Sequence, residues 1–316
     1  MINWAETAFV FPGQGSQTAG MGRDIAGAFP AARATFAEAD DLLGFELSAL
    51  CFNGPEDALA QTDVTQPALF VTSMAILRAL QALLPDAQPT CGAGHSLGEI
   101  TALAAAGALT FADGLRLVRE RGRLMRAAGE TNPGAMAALL GLDAPAVREV
   151  CAAVNAETGG VLVLANDNCP GQIVISGEVA AVDAGIVRAK EAGAKRAVKL
   201  AVSIASHSPL MDEASRSFAE ALAATPFSEP AYPVYANVTA APVGDVAAMR
   251  EELTVQLTRS VRWTESVQAM IGAGARTFVE IGSKDVLTNL LKRIDGTATG
   301  VNLSSASAIE AFVRSD

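Results

Sequence analysis

A serine with a glycine two residues away on each side stands in the pentapeptide Gly94-His95-Ser96-Leu97-Gly98. This G-x-S-x-G spacing is typical of a nucleophile elbow, a sharp strand-to-helix turn that exposes a serine at the carboxyl end of a sheet. Free N–H groups at the start of the following helix would stabilise an oxyanion there. The spacing therefore predicts that Ser96 is a nucleophile, and a serine that only caps a helix is the alternative.

A serine nucleophile needs a base, and the chain has only two histidines, His95 and His207. His95 adjoins Ser96 at the predicted bend, so its side chain is expected to point away from the reacting group. By elimination, His207 in the segment SIASHSPLM is the candidate base. No acid stands out as its orienting partner among Asp113, Asp143, Asp167 and Asp183, and a backbone carbonyl is the other candidate.

One arginine lies on the apolar face of a predicted helix. In the segment TFADGLRLVRERGRLMRAAG, a helical wheel places one broad apolar face on Gly114, Leu115, Leu117, Val118, Gly122, Leu124 and Met125. Four arginines fall on the opposite, solvated face, but Arg121 falls within the apolar arc. A buried guanidinium needs an anionic partner. That partner is either an internal Asp or Glu or the carboxylate of a substrate, which a guanidinium holds through two parallel hydrogen bonds.

A glycine-rich loop, FPGQGSQ, follows the apolar strand predicted at Thr7–Phe11. The loop matches neither the P-loop nor the G-x-G-x-x-G pattern, so a nucleotide-binding cradle is not indicated. Its backbone amides could line an oxyanion site, and a turn with polar filler is the alternative.

Composition narrows the class of protein. A net charge of −11 over 316 residues argues against nucleic-acid binding, which requires a basic surface. Four scattered cysteines and two histidines fit neither a zinc site nor a disulfide framework. The N-terminus lacks a signal-peptide pattern and no apolar run reaches ~18 residues, so we expect no membrane span and a cytoplasmic location.

Alternating strand and helix patterns predict an α/β fold with a parallel sheet and helices on both faces. Between Met136 and about Val202 the order becomes βαββαβ, which is the ferredoxin-like arrangement. We therefore predict a discontinuous large α/β domain (1–133 and 203–316) that carries an inserted ferredoxin-like small domain (134–202).

The chain resembles the malonyl-CoA:acyl carrier protein transacylase family. The resemblance covers nearly the whole chain and is carried, in order, by FPGQGSQ, TQPAL, GHSLGE, RGRLM, PGQIVISG, SHSPLM, NVTA and VEIGSKDVLTNLLKRI. It implies a hydrolase-like large domain with a ferredoxin-like insert, in agreement with the element order. It also implies that Ser96 is the acylated nucleophile, His207 its base, and Arg121 the residue that binds the malonyl carboxylate.

The resemblance assigns further residues. Gln14 and the backbone N–H of Leu97 would form the oxyanion hole. The backbone carbonyl of Gln256 would hold the histidine ring, which would explain the missing acid. The pocket would be lined by Asn166, Asn168 and His95.

The implied activity is ping-pong transfer of a malonyl group from malonyl-CoA to the phosphopantetheine thiol of an acyl carrier protein, with no metal or redox cofactor. The expected partners are malonyl-CoA and the carrier protein, without nucleic acid or membrane, and the enzyme is expected to be a monomer. Ile204-Ala205-Ser206 before the histidine leaves tolerance of methylmalonyl-CoA open. Basic residues of RAKEAGAKRAVK and LLKRI are candidates for carrier docking, and a solvated helix face is the alternative.

Three other functions share these features. A transacylase component of a polyketide or malonate decarboxylase system would use the same chemistry with a different carrier. A serine hydrolase would release a free acid, and a non-catalytic module would only bind the acyl carrier.

Overall fold

The computed structural model describes residues 2–315, which form two separate β-sheets surrounded by helices. The strands in this range are β1 (Thr7–Phe11), β2 (Cys91–Gly94), β3 (Gly134–Leu140), β4 (Leu162–Cys169), β5 (Gln172–Glu178), β6 (Arg196–Lys199), β7 (Val234–Tyr235), β8 (Thr277–Glu280) and β9 (Thr299–Asn302).

The larger sheet is parallel, with strand order β7-β2-β1-β8-β9. Strand β1 lies at its centre and is buried along its whole length, because its residues are almost all apolar and both faces are covered. Phe11 pairs with Gly94 in register, so β1 and β2 end at the same edge. This register places the FPGQGSQ loop beside the GHSLG turn.

The smaller sheet is antiparallel, with strand order β4-β5-β3-β6. Its strands and helices follow the order βαββαβ, so the predicted α/β fold class with a ferredoxin-like unit is confirmed. All of its elements fall between Gly134 and Lys199. The division into domains at 134 and 202 remains a prediction.

The helices flank both sheets. They are α1 (Arg23–Ala28), α2 (Pro30–Leu43), α3 (Leu47–Asn53), α4 (Glu56–Leu59), α5 (Thr62–Leu83), α6 (Gly98–Ala105), α7 (Phe111–Thr131), α8 (Ala144–Thr158), α9 (Val179–Glu191), α10 (Asp212–Ala224), α11 (Val246–Gln256), α12 (Trp263–Gly272), α13 (Val286–Ile294) and α14 (Ala306–Arg314). Three of them, α3 to α5, follow one another closely between Leu47 and Leu83. The sequence-based predictions contain neither β9 nor α14.

Helices α5 and α7 pack closely against each other next to the larger sheet. A Cβ atom at Gly122 of α7 would lie 2.8 Å from the backbone oxygen of Thr62 in α5, so only glycine permits this approach. The contact brings Gln66 of α5 towards Arg121 of α7. Across residues 2–315, no helix combines the length and apolar character that crossing a membrane requires.

Candidate active site

The glycines of the elbow are required by backbone contacts. A Cβ atom at Gly94 would lie 1.8 Å from the carbonyl of Gly98, and one at Gly98 would lie 2.1 Å from the backbone oxygen of Phe11. No side chain fits at either position without moving backbone. A Cβ at Gly13 would lie 2.4 Å from the backbone oxygen of His95, so the glycine-rich loop also packs directly on the turn.

Ser96 occupies the turn between β2 and α6 in a left-handed backbone conformation, with φ of 52°. Serine adopts this conformation only where surrounding contacts hold it. The holding contact is Asn237, whose Oδ1 accepts a hydrogen bond from the Ser96 N–H at 2.7 Å. The same Asn237 donates through Nδ2 to the backbone oxygen of Gly94 at 2.7 Å, so its amide ties both ends of the turn together.

His207 lies where the sequence places the base. Its Nε2 is 2.8 Å from Ser96 Oγ, and its Nδ1 is 2.8 Å from the backbone oxygen of Gln256 and 3.2 Å from that of Arg259. Carbonyl oxygens only accept hydrogen bonds, so Nδ1 carries the proton and Nε2 is free to accept from the Ser96 hydroxyl. His207 also has a positive φ, of 59°.

Within residues 2–315, no carboxylate is hydrogen-bonded to His207. The four aspartates considered from the sequence lie elsewhere: Asp113 bonds Thr110 and Arg116, Asp143 caps α8, Asp167 bonds Thr264, and Asp183 pairs with Lys199. The ring is oriented by the two backbone carbonyls instead. This leaves His207 without a neighbouring negative charge.

The electrostatic environment keeps His207 neutral. Burial, followed by the positive charge of Arg121, lowers the pKa of His207 from 6.5 to about 3, and the hydrogen bond to the Gln256 carbonyl opposes this only in part. The imidazole is therefore in its basic form at neutral pH and can accept the serine proton.

Arg121 is 1% exposed, and its guanidinium reaches the serine. Its Nη2 donates to Ser96 Oγ at 3.1 Å and to Gln256 Oε1 at 2.8 Å, and Nη1 donates to Gln66 Oε1 at 3.0 Å. The Nε atom is buried and has no hydrogen-bond partner in the described range 2–315. The partners that the structure gives this arginine are thus neutral amides and a hydroxyl.

The missing ion pair leaves the Arg121 charge uncompensated at close range. No carboxylate lies within salt-bridge distance of it in the described part of the chain. Burial lowers its pKa to about 10, with the more distant Glu99 acting in the opposite direction, so the guanidinium is charged at neutral pH. An internal direct Asp or Glu partner, one of the two alternatives from the sequence, is therefore not found among residues 2–315.

Gln14 and Leu97 belong to different elements and line the same cavity as Ser96. The N–H of Leu97, at the start of α6, and that of Gln14, in the FPGQGSQ loop, have no hydrogen-bond partner within residues 2–315. The side chain of Gln14 turns towards Thr62 Oγ1, at 3.4 Å, so only its backbone N–H is available to an oxyanion. Unpaired amides at a helix start and its adjacent loop are suited to stabilising negative charge.

These groups surround one cavity of about 270 Å³ between the two sheets. The polar end of the cavity lies on the side of the larger sheet and is lined by Gln14, Ser96, Arg121 and His207. The smaller sheet supplies a mainly apolar wall with Met136, Ala138, Asn166, Asn168 and Val174. Such a cavity accepts a short acyl group that carries one charged end.

The remaining predicted pocket residues lie at the junction of the two sheets. His95 Nε2 is 2.8 Å from Asn168 Oδ1, and the His95 ring packs edge-on against Trp263 at 5.6 Å. His95 therefore lines the cavity and is engaged by the smaller sheet rather than by Ser96. Asn166 is 6% exposed, lines the same cavity and makes no side-chain hydrogen bond within residues 2–315.

Sequence reasoning missed Gln66 and Asn237. Both are fully buried amides that hold functional groups, Gln66 on Arg121 and Asn237 on the Ser96 turn. The signal for Gln66 was available, since it lies on an almost wholly apolar helix. In the described residues, no group of three or more His, Cys, Asp or Glu side chains is arranged to hold a metal ion.

The fold and this site are those of a class of α/β serine enzymes, with a serine at a strand-to-helix turn, a neutral histidine bonded to it and a buried guanidinium beside it. A family model described as an acyl transferase domain matches residues 8–306. The chain belongs to the malonyl-CoA:acyl carrier protein transacylase family of acyltransferases, which confirms the resemblance found in the sequence.

The relatives match almost end to end. The malonyl-CoA:acyl carrier protein transacylase of Bacillus subtilis is 43% identical over 310 residues, covering 98% of this chain and 97% of the relative. A solved structure of the Xanthomonas oryzae transacylase is 44% identical with a TM-score of 0.94, covering 98% of both chains. A malonyl-transacylase solved in complex with its type II PKS acyl-carrier protein is 42% identical with a TM-score of 0.95, covering 98% of this chain and 100% of that one.

Proposed function

We propose that this enzyme transfers a malonyl group from malonyl-CoA to the phosphopantetheine thiol of an acyl carrier protein, through a malonyl ester on Ser96. The observation that carries the proposal is the buried guanidinium of Arg121, which reaches Ser96 Oγ and has no carboxylate partner among residues 2–315. A malonyl carboxylate would supply the missing negative charge within reach of the nucleophile.

The first half-reaction follows from the hydrogen bonds at Ser96. Its Oγ attacks the thioester carbonyl carbon while His207 Nε2 takes the hydroxyl proton. The carbonyl oxygen becomes an oxyanion, which the backbone N–H groups of Leu97 and Gln14 stabilise. The carbon–sulfur bond then breaks, and the CoA thiolate takes the proton from His207.

The second half-reaction runs the same steps in reverse order. The phosphopantetheine thiol of the carrier gives its proton to His207 and attacks the ester carbonyl. The ester bond to Ser96 breaks, and Oγ recovers the proton from His207. Neither half-reaction needs a metal or a redox cofactor, because proton transfer and charge stabilisation are supplied by the chain.

Intact-mass spectrometry tests the proposal. After incubation with malonyl-CoA, we expect the enzyme to gain one malonyl group, whereas acetyl-CoA should give little adduct. Incubation with methylmalonyl-CoA shows whether the enzyme also accepts a methylmalonyl group. The Ser96→Ala variant should stay unlabelled with every thioester. An unlabelled wild-type enzyme, or a labelled Ser96→Ala variant, would overturn the proposal.

A serine hydrolase is the second candidate, because an elbow serine and a histidine also serve hydrolysis. The two functions differ in the fate of the acyl-enzyme. A transferase should keep its malonyl group in water and release it only when a carrier-bound thiol is added. Loss of the adduct without an acceptor would favour the hydrolase.

The acceptor is proposed to be an acyl carrier protein of fatty acid synthesis. The relative solved with its type II PKS acyl-carrier protein supports an acyl carrier protein as the acceptor. A polyketide or malonate decarboxylase system is the alternative. We further propose that the enzyme acts as a cytoplasmic monomer.

The carrier needs a basic surface on this acidic enzyme, and the basic edge (Lys195, Arg196 and Lys199) offers one. Lys195 and Arg196 are exposed and make no ion pair within residues 2–315, whereas Lys199 pairs with Asp183. The strand that begins with Arg196 is an edge strand and leads directly into Leu200, which lines the cavity. A carrier bound here would reach the cavity mouth.

Reversing the charge of Lys195 and Arg196 to glutamate is expected to raise the KM for carrier protein by roughly tenfold. The KM for malonyl-CoA should stay unchanged, because the cavity residues are untouched. The measurement is steady-state transfer with each substrate varied in turn. Equal changes in both KM values, or no change in either, would rule out the basic edge as the docking surface.

A further inference from the structure

One buried residue, Gln256, contacts both the base and the guanidinium. Its backbone oxygen accepts from His207 Nδ1 at 2.8 Å, and its side-chain Oε1 accepts from Arg121 Nη2 at 2.8 Å. The backbone contact is fixed by the chain path. The side-chain contact depends on which way the amide is turned.

The orientation of the Gln256 side-chain amide is set by the carboxyl group of Glu99. Gln256 Nε2 donates to Glu99 Oε2 at 2.6 Å and to the backbone oxygen of Ser96 at 3.0 Å. The two ends of an amide have nearly the same shape, so hydrogen-bond partners alone decide its orientation. If the amide were reversed, its NH₂ group would face the donors of Arg121 and the guanidinium would lose an acceptor.

Glu99 is poorly explained as a stabilising residue. It is completely buried near the start of α6, and its Oε1 has no hydrogen-bond partner within residues 2–315. Burial and then the nearby Glu252 carboxylate raise the pKa of Glu99 well above its usual value, while Gln256, the Asn237 backbone and Arg121 oppose the rise. A buried acid that has one oxygen without a hydrogen bond and a second acid beside it disfavours folding. A role in function therefore accounts for Glu99 better than a role in stability.

We propose that Glu99 is a positioning residue that orients the Gln256 amide, which in turn fixes the Arg121 guanidinium for recognition of the substrate carboxylate. This inference rests on the proposed function of Arg121. Glu99 Oε2 also accepts a longer hydrogen bond from the Asn237 backbone N–H, at 3.3 Å, and its route to the substrate carboxylate runs through Gln256 and Arg121. The Ser96–His207 pair does not depend on it, because the ring of His207 is held by backbone oxygens.

The test separates carboxylate recognition from serine chemistry. Glu99→Ala and Gln256→Leu should each lower kcat/KM for malonyl-CoA by roughly tenfold, mainly through KM. In Glu99→Ala, acylation of Ser96 by p-nitrophenyl acetate, a neutral probe that needs no guanidinium, should change less than about twofold. The double variant should be no worse than either single variant, because both act through one contact.

Glu99→Gln supplies the conservative rescue. Its amide oxygen can take the place of Oε2, and its NH₂ group falls where Oε1 has no partner. We expect it to keep the wild-type preference for malonyl-CoA over acetyl-CoA. If it loses that preference as Glu99→Ala does, an acceptor oxygen is not sufficient and the inference fails.

Glu280→Ala provides a matched control, since Glu280 is equally buried but bonds Thr288 and the Leu287 backbone. This variant should lower the melting temperature and leave the malonyl preference intact. Equal losses with malonyl-CoA and p-nitrophenyl acetate in Glu99→Ala would overturn the inference in favour of a general structural role, and so would no loss with either. Failure of the wild type to take up malonyl would instead overturn the proposed function.

Discussion

Replacing Arg121 with alanine is expected to lower kcat/KM for malonyl-CoA by roughly 100- to 1,000-fold, while leaving that for acetyl-CoA unchanged or higher. In the wild type, an acetyl group leaves the buried guanidinium without a counter-charge, whereas a malonyl carboxylate pairs with it. The variant removes this distinction. The malonyl group then brings an unpaired carboxylate into a largely apolar cavity, which is unfavourable.

The measurement is the rate of acyl-enzyme formation with each thioester, read by rapid quench and mass spectrometry. Arg123→Ala is the matched control on the same helix, because Arg123 is exposed and pairs with Glu120 at the surface. It should leave both rates unchanged. An Arg121→Ala variant that is folded and still prefers malonyl-CoA as the wild type does would contradict the assigned role.

Replacing His207 with alanine is expected to slow acylation of Ser96 by roughly 100- to 10,000-fold, the usual contribution of a general base. The free enzyme should also show an unusual pH profile. Since burial and Arg121 lower the pKa of His207 to about 3, the base is neutral above that pH. The acid limb of kcat/KM should therefore lie far below the ordinary histidine range, with a flat profile between about pH 5 and pH 8.

The same electrostatics predict how substrate alters the profile. A bound malonyl carboxylate neutralises Arg121, which raises the pKa of His207, so the acid limb of kcat should lie at higher pH than that of kcat/KM. Arg121→Ala should move the kcat/KM limb upward for the same reason. Stopped-flow acylation over a pH series measures the acid limbs of kcat and kcat/KM in the wild type and that of kcat/KM in Arg121→Ala. A kcat/KM limb near 6.5 in the wild type would contradict the described environment of His207.

The main reacting groups could be predicted because their signals are local or few. Ser96 follows from a five-residue pattern, Arg121 from a single helix wheel, and His207 from there being only two histidines. The orienting group of His207 could not be predicted. Four aspartates were equally plausible partners of His207 from the sequence. A backbone carbonyl oxygen is present in every residue, so no side-chain pattern indicates which one bonds the ring.

The supporting amides were hidden for a different reason. The Arg121–Gln66 bond joins residues 55 positions apart, and the Ser96–Asn237 bond joins residues 141 positions apart. Glutamine and asparagine are common in helices and loops, so only the completed fold selects these two. Strand β9 was missed similarly, because the short segment Thr299–Asn302 has little apolar character and becomes a strand by pairing with β8.

Ser96 and His207, the proposed nucleophile and base, both have left-handed backbone conformations that glycine would adopt without strain. Each non-glycine residue in this region opposes folding by of order 1 kcal/mol. At Ser96 the proposed catalytic role and thermal robustness are therefore in conflict, since a duplicate of this chain released from selection for acyl transfer would relieve the strain by drifting to glycine. At His207 the same change would empty a buried position and remove the donor from the Gln256 and Arg259 carbonyls, so the strained histidine would persist there.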